Sequence, residues 1–89
     1  MSYSVKLSDN AIKSMKKLDE HTRKMIMAWI EKNLDGCDNP RAYGKALTGT
    51  FREYWRYRVG KYRLMAKIKD DVVEIVIANV GHRDKVYEG

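Results

Sequence analysis

Basic and aromatic side chains alternate along one stretch of the chain, residues 41–67, in a mixture that suits contact with a polyanion. This stretch contains eight Lys and Arg against one Glu, whereas residues 1–40 contain seven against six and residues 68–89 three against five. The net charge of +6 is therefore concentrated in one segment. Lys and Arg displace counterions from a phosphate backbone, and aromatic rings stack on unpaired bases. Composition leaves open the alternative of a solvated charged surface that only aids solubility.

The period-2 alternation of two predicted strands, at about 54–59 and 62–69, sorts these basic side chains onto one face. Trp55, Tyr57 and Val59 point to the apolar side of the first strand. The side chains predicted to point the other way are Arg56, Arg58, Arg63, Met65 and Lys67.

The residues Gly60-Lys61 have the length of a two-residue hairpin loop, which places Arg58 directly opposite Arg63. Facing like charges cost roughly 0.2–1 kcal/mol, and a bound phosphate would offset that cost. The alternative is a set of exposed arginines that spread over a sheet edge.

If Asp70-Asp71 is likewise a two-residue hairpin loop, Lys67 faces Glu74 on the next strand. These two side chains would form an ordinary cross-strand ion pair. The same register also places Arg63 opposite Ala78, a small residue that leaves room above the sheet.

The chain after the last predicted strand adds His82, Arg83 and Tyr87. If this tail stays near the arginine side chains, it brings a histidine or a tyrosine next to a bound phosphate, where either could transfer protons. The alternative is that both are ordinary surface residues.

The elements that must position these side chains form one α+β domain, residues 1–89. In it an N-terminal strand and an α-helical hairpin pack on a mainly antiparallel four-stranded sheet, in the order β-α-α-β-β-β. The predicted elements are a strand at 3–7, helices from Ser8 or Asp9 and over 19–34, a loop over 35–50, and strands at 54–59, 62–69 and 72–80. The last strand is apolar on both faces, which predicts a position inside the sheet.

The composition excludes several classes of protein. No stretch is apolar for long enough to span a bilayer, and the first residues have no signal-peptide core. Cys37 is the only cysteine, and no Cys/His spacing suits a metal. We therefore predict a cytoplasmic protein with no membrane contact, no metal and no cofactor.

The element order, the segment WRYRVGKYRL at 55–64 and the ending VGHRDKVY at 80–87 resemble the RelE toxins of bacterial and archaeal toxin–antitoxin systems over nearly the whole chain. The resemblance implies a RelE-like fold and a ribosome-dependent endoribonuclease that cuts mRNA in the A site of the 70S ribosome. It also implies a cognate, RelB-like antitoxin that blocks the toxin. Operator DNA would be bound only through the toxin–antitoxin complex.

The family's functional positions fall on particular residues of this chain. Its two second-strand basic positions correspond to Arg56 and Arg58, and its third-strand arginine to Arg63. Its tail arginine and tail tyrosine correspond to Arg83 and Tyr87, although the spacing between these two is shorter than in some relatives. Two other basic-segment residues, Lys45 and Lys61, are predicted as further phosphate contacts. His82 stands where some relatives have a lysine.

These residues suit metal-free RNA cleavage, in which the substrate's own 2′-hydroxyl attacks the adjacent phosphorus. Arginines would hold the phosphate, and Tyr87 or His82 would move protons. Two other classes of function are weighed against this one. The first is a ParE-like inhibitor of DNA gyrase, against which the joint presence of Arg63, Arg83 and Tyr87 argues. The second is a partner without catalysis, either a nucleic-acid-binding module or an inactivated toxin kept as a repressor partner.

Overall fold

A computed structural model of the chain describes residues 2–82, and two helices lie near its start. Strand β1 is Ser4–Leu7, helix α1 is Asp9–Lys16 and helix α2 is Glu20–Asn33. Each helix begins at an N-cap whose side chain accepts a backbone hydrogen bond: Ser8 from the N–H of Ala11, and Asp19 from the N–H of Thr22.

The remaining elements form the rest of one mixed sheet. Strands β2 (Lys45–Ala46), β3 (Trp55–Val59), β4 (Tyr62–Lys69) and β5 (Glu74–His82) follow in the chain, with a short 3₁₀ helix, Gly49–Phe51, between β2 and β3. The spatial order is β1-β5-β4-β3-β2, with β1 parallel to β5 and all other neighbours antiparallel. The predicted α+β fold and the interior position of the last strand are confirmed.

The sheet has five strands in the described part of the chain, one more than predicted. The additional strand, β2, lies inside the region predicted as a loop. It has only two residues, and both are exposed. Two exposed residues between glycines give no alternation of apolar and polar side chains, so the sequence carries no signal for this strand.

The helices pack on one face of the sheet and bury a single core. The helix residues in the core are Ala11, Met15, Ile26, Ile30 and Leu34, and the sheet residues are Tyr57, Val59, Leu64, Ala66, Ile75, Ile77 and Val80. Within residues 2–82 no helix has the length and apolar character needed to cross a membrane.

The hairpin between β3 and β4 has the predicted register. Val59 pairs with Tyr62 across the two-residue turn Gly60-Lys61, and Arg58 pairs with Arg63. Gly60 has a φ of 58°, which is the left-handed conformation that such turns require.

The predicted register between β4 and β5 is wrong next to the turn that connects the two strands, where Glu74 pairs with Lys69 instead of Lys67. Their connection spans residues 70–73 rather than two residues, and Val73 adopts a φ of 53°. As a result Lys67 faces Val76, while Glu74 faces Lys69.

The side chains rearrange accordingly. Glu74 forms an ion pair with Lys6 of β1 at 3.1 Å, so the predicted Lys67–Glu74 pair does not form. The ammonium group of Lys67 lies instead over the ring of Tyr54, 5.2 Å from its centroid.

A β-bulge moves the register again toward the end of β5. Met65 pairs with Asn79, but the next residue of β4, Ala66, pairs with Ile77. Ala78 is therefore the extra residue, and Arg63 faces Gly81 rather than Ala78. The residue that faces Arg63 is therefore still a small one, a glycine instead of the predicted alanine.

Candidate nucleic-acid interface

Two cross-strand pairs of basic residues lie side by side on the sheet face that the helices leave uncovered. Lys45 of β2 pairs with Arg56 of β3, and Arg58 of β3 pairs with Arg63 of β4. We call these four residues the basic face. The strand alternation that buries Tyr57 against the helices is what directs its neighbours Arg56 and Arg58 to this side. Lys61 lies in the turn next to the Arg58–Arg63 pair.

Three cations of the basic face have no acidic counterpart in the described part of the chain. No carboxylate there lies within 4.0 Å of the charged nitrogens of Lys45, Arg56 or Arg58. The Nε atom of Arg56 is also buried and has no hydrogen-bond partner among residues 2–82. A buried donor without an acceptor is destabilising, so this side of the sheet would gain from an added acceptor such as a phosphate oxygen.

An apolar residue lies within the basic face. Met65 pairs with Arg56 and is only 4% exposed, although it does not belong to the core cluster on the helix side. The guanidinium group of Arg56 therefore lies next to a buried apolar side chain, and charge–charge interactions are stronger there than in bulk water.

The loop before β2 is held to the sheet by two side chains of β3. The Tyr57 hydroxyl donates a hydrogen bond of 2.6 Å to the carbonyl oxygen of Pro40. Burial raises the pKa of this hydroxyl, so it remains a protonated donor at physiological pH. The indole N–H of Trp55 donates to the carbonyl oxygen of Tyr43, also at 2.6 Å.

Gly44 brings the same loop close to the backbone of β3. Its φ is 77°, and a Cβ atom at this position would lie 2.1 Å from the carbonyl oxygen of Arg56. Only glycine fits here, for reasons of both conformation and space. The loop thereby aligns Lys45 with Arg56.

A second anchor joins three distant parts of the chain at Asp70. Arg41 donates two hydrogen bonds to its carboxylate, at 3.0 and 2.9 Å, and the Tyr3 hydroxyl donates a third at 2.7 Å. The bonds from Arg41, and then that from Tyr3, hold the pKa of Asp70 below its usual value. Arg41 therefore has a structural partner, which separates it from the cations of the basic face.

An open pocket of about 350 Å³ adjoins the basic face at the outer edge of β3. Its lining residues are Trp29, Tyr43, Gly44, Lys45, Arg56 and Arg58. The sequence predictions did not include the first three of these as site residues. The sequence signals for them are the aromatic residues of 41–67, which include Tyr43, and the glycine at position 44, and neither by itself predicts a pocket.

His82 lies on the other side of the sheet from the arginines. It pairs with Tyr62, and their rings meet edge to face with centroids 5.7 Å apart. Tyr62 packs against the helix-side core, whereas Gly81, the residue next to His82, is the one that faces Arg63. Arg83 and Tyr87 lie outside the described residues. Within residues 2–82 no group of three or more His, Cys, Asp or Glu could hold a metal ion.

Solved structures of toxin–antitoxin complexes contain the same fold. The chain matches one from the complex RelBE2 of Mycobacterium tuberculosis with a TM-score of 0.84 and 26% identity, over 93% of each chain. It matches one from the RelB-RelE complex of Methanococcus jannaschii with a TM-score of 0.67 and 27% identity, over 93% of this chain and 95% of the other. The fold is that of the RelE class of toxins.

Sequence comparison gives the family. A model of the family described as ParE toxin of type II toxin-antitoxin system, parDE, matches residues 5–87. A protein of Escherichia coli described as RelE-like toxin is 29% identical over 86 residues, which are 96% of this chain and 87% of that protein. The chain belongs to this toxin family of the RelE/ParE superfamily and is a toxin of a type II toxin–antitoxin system. The resemblance noted from the sequence is thus confirmed at this level.

Proposed function

We propose that this toxin is a metal-independent endoribonuclease that cuts mRNA in the ribosomal A site and thereby inhibits translation. The observation that carries the proposal is the pairing of Lys45 with Arg56 and of Arg58 with Arg63 on the sheet face that the helices leave uncovered. Four cations in two adjacent rows match the repeating charge of a phosphate backbone. The guanidinium groups offer paired N–H donors that fit phosphate oxygens.

The proposed reaction needs only the RNA and the protein, and the protein supplies both the proton acceptor and the proton donor. The 2′-oxygen forms a bond to the adjacent phosphorus as its proton passes to a base, and the bond from phosphorus to the 5′-oxygen breaks. A proton is delivered to that 5′-oxygen, which leaves a 2′,3′-cyclic phosphate and a 5′-hydroxyl. Positive charge near the phosphoryl oxygens stabilises the transition state.

Each role is assigned to a residue of this chain. Arg56 and Arg58, with Lys45 and Lys61, bind phosphates of the strand. Arg63 and Arg83 stabilise charge on the reacting phosphate, and proton transfer falls to Tyr87 and His82. His82 contacts Tyr62 on the helix side of the sheet, away from the arginines, which supports assigning the larger part of the proton transfer to Tyr87.

We include the ribosome in the proposal because residues 2–82 offer few groups for proton transfer near the basic face. A weak set of acids and bases gains most when another body holds the RNA with the 2′-oxygen in line with the leaving oxygen. We therefore expect slow cleavage of free RNA and rapid cleavage of mRNA on a programmed ribosome.

The partner that restrains the toxin is proposed to be a RelB-like antitoxin. The two matched complexes from M. tuberculosis and M. jannaschii contain a toxin together with its antitoxin. Lys45, Arg56 and Arg58, which have no carboxylate within 4.0 Å among residues 2–82, suit an acidic segment of such a partner. Operator DNA would be contacted through the antitoxin complex, and the toxin would act in the cytoplasm.

The test is primer extension on mRNA in programmed ribosomes with the wild-type toxin and two variants, Arg63→Ala and Tyr87→Phe. We expect cuts within the A-site codon that weaken by about 10²-fold or more in each variant. Arg52→Ala is the matched control, because Arg52 is an exposed arginine outside the basic face. Intact mRNA with the wild-type toxin would refute the proposal.

A second candidate function is inhibition of DNA gyrase, which the ParE description of the matching family favours. It predicts a DNA-damage response on expression while mRNA stays intact. Gyrase supercoiling assays with the purified toxin decide between the two. A third outcome, RNA binding with a steep salt dependence but no cleavage, would identify a binding partner without catalysis.

A further inference from the structure

The pocket beside the basic face lies where the sheet has a free edge. Strand β2 pairs only with Trp55 and Arg56, so β3 beyond Arg56 has no strand partner on that side within the described chain. We call this cavity, with the lining given above, the edge pocket. It connects the C-terminal half of α2, through Trp29, to the arginines of the basic face.

Aromatic rings form one wall of the edge pocket. Trp29 meets Tyr43 edge to face, with ring centroids 5.9 Å apart, and Tyr57 in a tilted arrangement at 5.8 Å. Tyr57 is fully buried and therefore fixes the inner end of this aromatic stack. Tyr43, at its outer end, is 45% exposed and offers its ring to an incoming group.

The exposed ring of Tyr43 is carried on a fixed backbone. The Trp55 indole holds the carbonyl oxygen of Tyr43, and the next residue, Gly44, lies against the Arg56 backbone. An exposed aromatic side chain on a constrained loop loses less conformational freedom when it binds a partner.

The opposite wall of the edge pocket is cationic. Lys45, Arg56 and Arg58 line it, and no Asp or Glu is among its lining residues. The buried Nε of Arg56 has no acceptor among the described residues. The occupant that fits both walls is a planar ring attached to an anion.

We propose that the edge pocket binds one unpaired nucleobase of the RNA strand, stacked on Tyr43, with the adjoining phosphates on Arg56 and Arg58. The inference rests on the proposed function and adds a base subsite to its phosphate contacts. Contacts to phosphates alone do not distinguish one RNA sequence from another. The affinity of a pocket that holds a base, in contrast, depends on the size and shape of that base. The edge pocket is accordingly a determinant of nucleotide preference.

The experiment measures binding of a short single-stranded RNA by fluorescence anisotropy. The RNA has 2′-deoxy substitutions to prevent cleavage, and a set of RNAs removes one base at a time while keeping every phosphate. For the wild-type toxin, we expect one abasic position to weaken binding roughly 5- to 140-fold, the range for loss of one stacked base. Equal affinity for all abasic RNAs would overturn the inference, and this arm requires no variant.

Variants at one position then locate the subsite. Tyr43→Ala should bind intact RNA as weakly as the wild type binds the critical abasic RNA, and should lose no more when that base is removed. Tyr43→Phe keeps the ring and should retain wild-type behaviour, which separates stacking from loss of fold. Wild-type RNA affinity in Tyr43→Ala, together with loss of the antitoxin complex, would assign the pocket to the antitoxin and overturn the proposal.

The two proposals fail in distinguishable ways. If RNA binds with the expected salt dependence and is cleaved on ribosomes, but no base position matters, only the base subsite is refuted. If no RNA binds and mRNA also stays intact on programmed ribosomes, the basic face is not an RNA surface and both proposals are refuted.

Discussion

Arg58 and Arg63 stand directly opposite each other on antiparallel neighbouring strands. Because facing like charges destabilise a sheet, we expect Arg58→Gln to raise the free energy of unfolding by about 0.2–1 kcal/mol at low ionic strength. The gain should shrink at high salt, where the repulsion is screened. Urea denaturation at about 0.01 M and about 1 M salt measures both effects.

The control for this prediction is Arg52→Gln, the same substitution at an exposed arginine outside the basic face. It should leave stability nearly unchanged at both salt concentrations. A loss of stability in Arg58→Gln at low salt would mean that the facing arginines do not repel each other appreciably.

Gly44 and Gly36 have almost the same backbone conformation but different surroundings. Their φ values are 77° and 78°, yet a Cβ at Gly44 would lie 2.1 Å from the Arg56 carbonyl oxygen, and one at Gly36 would meet nothing within 4 Å. Alanine in the left-handed conformation costs about 1–2 kcal/mol at either position. We expect Gly44→Ala to lose clearly more stability than Gly36→Ala, and also to lose RNA affinity, because the clash displaces Lys45. Thermal denaturation that finds equal losses in the two variants would contradict the close packing of this loop.

The anchor at Asp70 predicts a dependence of stability on pH. Arg41 and then Tyr3 lower the pKa of Asp70 in the folded protein. A depressed folded-state pKa contributes stability that is present above the unfolded value, about 3.9, and is lost as the pH falls through the folded value. Asp70→Asn should therefore be less stable than the wild type at pH 5–8, and the difference should narrow below about pH 4.

Chemical denaturation at a series of pH values measures this difference. Asp71→Asn is the control, since it removes the same charge one residue further along, from a side chain with no ion pair among the described residues. A constant difference between wild type and Asp70→Asn down to about pH 2 would show that the carboxylate charge is not what stabilises the anchor.

The position of His82 predicts how proton transfer is divided. Its ring contacts Tyr62 on the helix side of the sheet, away from the Arg58–Arg63 pair. We expect His82→Ala to keep A-site cleavage within about tenfold of the wild type, whereas Tyr87→Phe loses about 10²-fold or more. Single-turnover cleavage on programmed ribosomes measures both rates. A greater loss in His82→Ala than in Tyr87→Phe would transfer the principal role to the histidine.

The β3–β4 hairpin shows how much of this site could be predicted locally. Alternation separated Arg56 and Arg58 from Tyr57, and the two-residue turn Gly60-Lys61 fixed the register. Both signals come from adjacent residues, so no distant contact was needed to place Arg58 opposite Arg63.

The register between β4 and β5 could not be predicted from neighbouring residues alone. Asp70 takes part in the anchor with Arg41 and Tyr3, 29 and 67 residues away, and the connection is longer than two residues. The longer connection and the bulge at Ala78 together give Lys67 and Arg63 different partners on β5 from those predicted. The sequence by itself determined the fold class and the two strands that carry the arginines, because these depend on local periodicity and on turns. It indicated the family through the resemblance of two motifs and of the element order. Only the tertiary structure decided which residues stand beside those arginines, because β2, the bulge and the edge pocket depend on contacts between distant segments.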